Sequence, residues 1–266
     1  GYHTGQIMVC LVLNAPNKKN MGINEGKFTA LVDNLTKIDG MTSICLNFNP
    51  ENTNVILGKK TTTLWGQDAI EDTIGDIRYR ISPQSFYQVN PVQTEKLYRT
   101  ALEFADIKPG ETVWDLYCGI GTISLFIAKE LGSDGEVIGV EIVPEAIENA
   151  KENARRNGIT NARFYAGAAE EVVPKLISAD GSESAKADVV VVDPPRKGCD
   201  QTLLDTIVRM SPKRIVYVSC DPATLARDVK MLAAKGYEVK KARTCDMFPM
   251  GGHVESILLL TRKHIK

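Results

Sequence analysis

"VWDLYCGIGTISL", residues 113–125, runs from an apolar strand through a glycine pair into an apolar helix. Gly119 and Gly121 let the backbone turn tightly and approach a ligand, and the helix that follows presents its first amides to an anion or a polar group. The D-L-x-x-G-x-G spacing differs from the G-x-G-x-x-G of dinucleotide-binding folds, which disfavours a dehydrogenase. The next strand, "EVIGVEI", ends about twenty residues on in Glu141, where a carboxylate suits the two hydroxyls of a ribose.

The same strand-turn-helix pattern continues outward from this stretch. The expected strands are "TVWDLY", "EVIGVEI", "ARFYAG", "ADVVVVDPP", "RIVYVSC", "YEVKKARTC" and "HVESILLLT". The expected helices are "PVQTEKLYRTALEFADI", "TISLFIAKEL", "PEAIENAKENARRNG", "AEEVVPKLI", "TLLDTIVRM" and "PATLARDVKMLAAKG". Strands apolar throughout belong to a parallel sheet covered on both faces, and the alternation predicts a doubly wound α/β domain of seven mostly parallel strands over 83–266. Such sheets bind ligands at the carboxyl ends of their strands. Residues 1–82 read instead as a small α+β subdomain, with strands "QIMVCLVLN", "TNVILG" and "GDIRYRIS" and a helix "GKFTALVDNLTKI". "SADGSESAKA" (178–187) is expected to be a mobile polar loop.

The chain has 266 residues, 43% of them hydrophobic, with 32 Lys and Arg against 33 Asp and Glu. A net charge of -1 excludes a polycation, so any nucleic-acid surface is local. Eleven basic and five acidic residues between Arg196 and Arg243 mark the C-terminal half as the place for an anionic partner. The six cysteines form no C-x-x-C pair, which leaves zinc and redox-pair readings without support, and no metal site is expected. Neither a membrane span nor a signal peptide is visible, so a cytoplasmic, monomeric protein is expected.

Cys220 asks for a chemical explanation. It stands at the tip of "RIVYVSC", directly before a helix whose N-cap and first residue are Asp221 and Pro222. The helix dipole favours a thiolate there and the charge of Asp221 opposes it. A thiolate adding to carbon 6 of uracil makes carbon 5 nucleophilic, and a base must later remove the carbon 5 proton. Glu255 interrupts an apolar strand after a glycine-rich turn, where partial burial raises its pKa and suits it to accept that proton; His253 is the alternative. Cys118, on the glycine loop, is the rival nucleophile and is read as packing; Cys10, Cys45, Cys199 and Cys245 are assigned no chemistry. Asp193, Pro194 and Pro195 form a rigid turn at the end of their strand, because proline removes ladder donors.

The glycine spacing with Glu141 resembles the S-adenosylmethionine-dependent methyltransferases of the first class. The ordered motifs "SFYQVNP", "DLYCGIGT", "DPPRKG", "SCDPATLARD" and "MFPMGGHVES" are similar to the RNA uracil-5-methyltransferase family over residues 80–266, and "YHTGQIMV" resembles its central subdomain. That resemblance implies Cys220 as nucleophile, Glu255 as proton acceptor and Asp193 beside the target base. It also implies cofactor contacts from Gln88, Tyr117, Gly119, Gly121, Thr122, Glu141 and Asp193, with "FYAGAAEE" (164–171) near the adenine but no contact assigned. The implied cofactor is S-adenosyl-L-methionine and the implied partner is RNA, with 23S ribosomal RNA expected and transfer RNA the alternative. Family members commonly carry an N-terminal oligonucleotide-binding barrel and a cysteine-ligated iron-sulfur cluster. Neither is found in these residues, so a truncated chain with reduced RNA affinity is expected.

A target base must be unpaired or flipped out of its stack to be attacked. Arg196, Lys197 and Arg227, with Arg78 and Arg80, are candidate phosphate contacts, and Phe86 and Tyr87 candidate stacking residues. Two other readings stay open. An amine methyltransferase using the Asp-Pro-Pro turn would have no use for Cys220, and an RNA-binding module without catalysis would form no adduct with 5-fluorouridine RNA.

Overall fold

A computed structural model describes residues 1–15, 25–52, 55–179 and 187–263. The chain divides into two compact units, Gly1–Tyr87 and Gln88–Lys266. The division falls five residues beyond the boundary read from the sequence. Ser82 and Ser85 close a turn on each other at 3.0 Å, and the Tyr87 ring packs 6.3 Å from that of Tyr79, which ties 82–87 to the first unit.

In the first unit β1 (Ile7–Leu13) pairs in parallel with β2 (Met41–Phe48), with α1 (Glu25–Leu35) between them in the chain. β3 (Lys60–Gly66) adds antiparallel to β2, and β4 (Ile70–Ile74) with β5 (Ile77–Ile81) makes a separate hairpin. Its two-residue turn puts Gly75 at φ 55, as tight hairpins require. The strand expected over "TNVILG" is not formed: Thr53 and Asn54 lie outside the described residues, and Val55 and Ile56 are 63% and 76% exposed. The carbonyls of Val55 and Ile56 accept from the Asn49 side chain rather than from a ladder, at 2.7 and 2.9 Å.

The second unit is built on a seven-stranded sheet. Its strands, in chain order, are β6 (Thr112–Leu116), β7 (Glu136–Glu141), β8 (Ala162–Ala166), β9 (Val189–Val192), β10 (Arg214–Ser219), β11 (Tyr237–Cys245) and β12 (Glu255–Arg262). Their spatial order is β11-β12-β10-β9-β6-β7-β8, parallel except for β12, which runs antiparallel to both its neighbours. Six helices accompany them: α2 (Pro91–Ala105), α3 (Thr122–Leu131), α4 (Pro144–Arg156), α5 (Ala169–Ala179), α6 (Gln201–Met210) and α7 (Pro222–Ala234). The core gathers Trp114, Leu116, Val190, Val192, Ile215 and Tyr217, all essentially inaccessible. β9 is valine at each of its four positions and buried at each, as a central parallel strand demands. Of the expected loop 178–187, residues 180–186 lie outside the described residues.

The helix starts are fixed by local chemistry. Asn90 accepts from the Gln93 amide ahead of Pro91, Asp200 from the Leu203 amide, and Asp221 from the amides of Ala223 and Thr224 ahead of Pro222. The last two caps stand near the carboxyl ends of β9 and β10, the edge of the sheet where the candidate site lies.

Candidate functional site

Sheet register brings the predicted residues together. Ser219 pairs with Ser256 across β10 and β12, so Cys220 and Glu255 lie at adjoining strand ends. Val192 pairs with Tyr217 across β9 and β10, which sets Asp193 on the same edge. Both carboxyls act on the Cys220 thiol, and Glu255 acts on Asp193. The Cys220 thiol is pushed up by desolvation, then by the charges of Glu255 and Asp193, while Arg196 pulls it back down. Burial and Glu255 raise the Asp193 carboxyl to about 7. Glu255 is 4% exposed and is itself raised by burial, against the opposing pull of Arg196.

Of the two opposing influences read from the sequence, the helix dipole is the weaker, and the Cys220 thiol stands above its ordinary value. Asp221 occupies the α7 amides with its own carboxylate, and two acids crowd the sulfur. Arg196, which reaches His253 at 3.3 Å, is the cation that offsets them. Cys118 is 3% exposed and its thiol is raised well above the ordinary range by burial beside Asp115 and Glu141. A Cβ built on Gly139 would lie 3.0 Å from its sulfur, so Cys118 fills the space over a bare backbone.

The glycine loop is shaped by backbone. Tyr117, a non-glycine residue, takes φ 82, and its amide and that of Cys118 both donate to Val140 O. Gly121 takes φ 82 as the N-cap of α3, where no side chain caps the helix, and a Cβ there would meet Phe164 and Ala150 at 3.2–3.3 Å. Glu141, at the end of β7, accepts from the amides of Gly119 and Val143 at 3.2 and 3.0 Å. The Gly119 amide thus orients Glu141 rather than facing a ligand. The Tyr117 ring packs against the core, half-buried near Cys199, Asp200 and Glu170. Thr122 receives the Tyr98 hydroxyl at 3.0 Å, and Gln88 is buried.

Two residues of this pocket were missed by sequence reasoning. Asp115 is 1% exposed, its Oδ2 takes the Ser124 hydroxyl at 2.5 Å, and its Oδ1 has no partner among the described residues. Tyr98, buried on α2, faces Asp193, Asp115 and Glu255. Asp115 stands inside the opening motif and was legible there as a charge with no place in a strand interior; Tyr98 carries no local signal on an ordinary amphipathic helix.

Of the basic candidates, Arg227 is committed to structure. Its guanidinium binds the buried Asp228 at 2.8 Å and the carbonyls of Lys197 and Cys199 at 2.9 and 3.0 Å, which holds the segment after the Asp-Pro-Pro turn. Arg80 pairs with Asp68 at 2.6 Å and Arg78 lies 3.9 Å from Glu71. Arg196 and Lys197 are exposed beside the site, and Phe86 is 72% exposed whereas Tyr87 is packed. Among the described residues no helix is long and apolar enough to cross a membrane, and no group of three His, Cys, Asp or Glu is placed to hold a metal ion.

A parallel sheet with one reversed strand, an uncapped glycine turn after its first strand and a carboxylate ending its second define an α/β methyltransferase fold. The solved structures most like this chain include the tRNA (uracil-54, C5)-methyltransferase of Pyrococcus abyssi in complex with S-adenosyl-L-homocysteine, with a TM-score of 0.76, 32% identity, and coverage of 98% of this chain and 57% of that one. The family model described as tRNA (uracil-5-)-methyltransferase matches residues 54–263, and the chain belongs to that family. It is 51% identical over 264 residues to an uncharacterized RNA methyltransferase of Clostridium acetobutylicum and 52% identical over 268 residues to one of Halalkalibacterium halodurans. These alignments cover 98% and 99% of this chain but 54% and 55% of the relatives, so the chain spans about half their length.

Proposed function

We propose that the protein methylates carbon 5 of a uridine in RNA, using S-adenosyl-L-methionine and a transient bond between Cys220 and carbon 6 of the base. The observation that carries this reading is the convergence of Cys220, Glu255 and Asp193 on one edge of the sheet, where the two carboxyls both act on the Cys220 thiol. Bound in the pocket, the cofactor supplies an electrophilic methyl group on a sulfonium sulfur.

The residues present fit that group. Gly119, at φ 55, has open space where a Cβ would stand, Glu141 is fixed by two amides at the end of β7, and Asp115 keeps a carboxylate oxygen without a partner among the described residues.

Cys220 loses its proton to solvent water and its sulfur forms a bond to carbon 6 of the uracil. The electrons of the ring double bond move toward carbon 5 and the adjoining carbonyl, which makes carbon 5 nucleophilic. Arg196 favours the thiolate that starts this step. Once carbon 5 is methylated, a carboxylate takes its remaining proton, the ring double bond re-forms and the sulfur leaves with the electrons of its bond. Glu255 is the proposed acceptor, since a carboxyl raised by burial is better matched to proton transfer near neutral pH than an ordinary one. Asp193 faces the same base. Arg196 and Lys197 are the proposed phosphate contacts.

An amine methyltransferase would use the Asp-Pro-Pro turn without Cys220, so the two chemistries separate cleanly. RNA labelled with tritium at carbon 5 of uridine should release at least one tritium to water for each methyl group transferred; methylation without release would place the methyl elsewhere than carbon 5. The family description and the Pyrococcus relative support transfer RNA over the ribosomal RNA expected from the sequence, and running the release assay with each RNA distinguishes them.

A further inference from the structure

Four carboxyl groups, from the ends of β6, β7, β9 and β12, gather at the carboxyl edge of the sheet with a thiol and a phenol. Asp115 on β6 faces Glu141 of β7, Cys118 of the glycine loop, Tyr98 of α2 and Asp193 beyond β9, and Glu255 of β12 faces Asp193 and Tyr98 in turn. Arg196 acts on Cys220, Glu255 and Asp221, whereas among the described residues no Lys or Arg acts on Asp115 or Asp193. Within this cluster Asp115 is 1% exposed and its Oδ1 has no partner among the described residues. A buried carboxylate oxygen without a donor is costly, and the cost falls when a positive group arrives.

The methyl donor and its spent product differ by one charge. Both carry the same adenosine and amino-acid portions, but the donor has a sulfonium sulfur and the product an uncharged thioether. We propose that Asp115, with Asp193, is a specificity-determining pair that makes the pocket prefer the sulfonium donor to the thioether product. The inference deepens the cofactor reading given above and rests on it. Its functional consequence is product release: methyl transfer removes the positive charge that the two carboxylates hold, and the spent molecule loses that part of its binding.

Burial raises both carboxyls to about 7, with Glu141 adding to the rise of Asp115 and Glu255 and Asp115 to that of Asp193, so near neutrality the pair holds a proton in place of the missing cation. Binding the donor displaces that proton to solvent and leaves a carboxylate beside the sulfonium. Binding the product displaces none. Donor affinity therefore rises with pH up to about 7 and levels off above it, as the competing proton is lost. Product affinity does not follow.

Calorimetric titration of the chain with S-adenosyl-L-methionine and with S-adenosyl-L-homocysteine tests this without any turnover. The sulfonium lowers the ammonium pKa of the donor below that of the product, so the contribution of the two carboxyls is the part of the pH dependence that their substitution removes. Between about pH 6 and about pH 8 the ratio should shift toward the donor by about tenfold, with more protons released on donor binding in buffers of different ionisation heat. Asp115→Asn and Asp193→Asn should each shrink the shift to about threefold or less. A ratio independent of pH in the unaltered chain overturns the inference, as does a shift that survives both substitutions. Should Asp115→Asn fail to fold, the unaltered chain and Asp193→Asn still decide the matter. If neither ligand binds at any pH, the cofactor reading itself fails, a result distinct from a constant ratio.

Discussion

Replacing Asp228 with asparagine removes one charge, and little volume, from a carboxylate gripped by three residues. Asp228 is fully buried on α7; its Oδ2 accepts from the Tyr217 hydroxyl at 2.6 Å and the Cys199 amide at 2.8 Å, and its Oδ1 accepts from Arg227 at 2.8 Å. Asparagine has one acceptor oxygen. Pointed at Tyr217 and Cys199, it turns an NH2 group against the guanidinium; pointed at Arg227, it turns that group against the Cys199 amide. The first arrangement is cheaper because Arg227 is half exposed and can turn to water. It loses one charge-assisted hydrogen bond, about 2 kcal/mol, and weakens two more by about 0.5 kcal/mol each, for a total of about 3 kcal/mol. For a unit of this size that corresponds to a fall in Tm of roughly 6–12 °C. Differential scanning calorimetry or urea unfolding measures it. Tyr217→Phe should cost about 1–2 kcal/mol, and the double variant should cost less than the two added together, because both act on one oxygen. Since Arg227 and Asp228 also hold Lys197 and Cys199, adduct formation at Cys220 should slow in Asp228→Asn well below its melting point. An Asp228→Asn protein within about 0.5 kcal/mol of the unaltered chain would show that this network is not what secures the turn.

Other expectations concern ionisation and catalysis. The Cys220 thiol sits above its ordinary value of 9.0, so the rate of adduct formation with 5-fluorouridine RNA should climb by about tenfold per pH unit between pH 7 and pH 9, and Arg196→Gln should lower it throughout; a flat profile contradicts the assignment. Glu255→Gln should trap a covalent complex with ordinary uridine RNA, visible on a denaturing gel, and free turnover by that variant would remove Glu255 from the proton-accepting role. Asp115 rises from an ordinary 3.8 to about 7 on folding, so between these values the folded chain binds more protons than the unfolded one and stability falls as pH rises. Asp115→Asn removes its share of that penalty, and its stability relative to the unaltered chain should improve from about pH 5 to about pH 8. A relative loss over that interval would contradict the sign.

The second unit was legible because its strands and helices carry their own punctuation. Valine runs, proline at the first helical position and aspartate caps each name one conformation, and the carboxyl edge of the sheet then places Cys220, Glu255 and Asp193 together without further information. The first unit was harder. β2, "MTSICLNF", was not read as a strand because Thr42, Ser43 and Asn47 break its apolar pattern, yet Ser43 and Asn47 are buried and Asn47 spends its amide on Gly58 and Thr61. "TNVILG" failed in the opposite sense, since its apolar residues are exposed and its backbone is held by Asn49. Polar side chains bonded to distant backbone leave no periodic trace. The ionisation of Cys220 and the commitment of Arg227 escaped for a related reason: both depend on which charges fold against them, and Glu255 and Asp193 come from separate strands.

Mass spectrometry of the complex formed with 5-fluorouridine RNA and S-adenosyl-L-methionine reads the central chemistry directly. A proteolytic peptide containing Cys220 should carry the mass of a methylated fluorouridine nucleotide, and Cys220→Ala should yield no adduct while still binding the cofactor. Nucleotide found on Cys118 or on any other residue, or an adduct that survives Cys220→Ala, would contradict it.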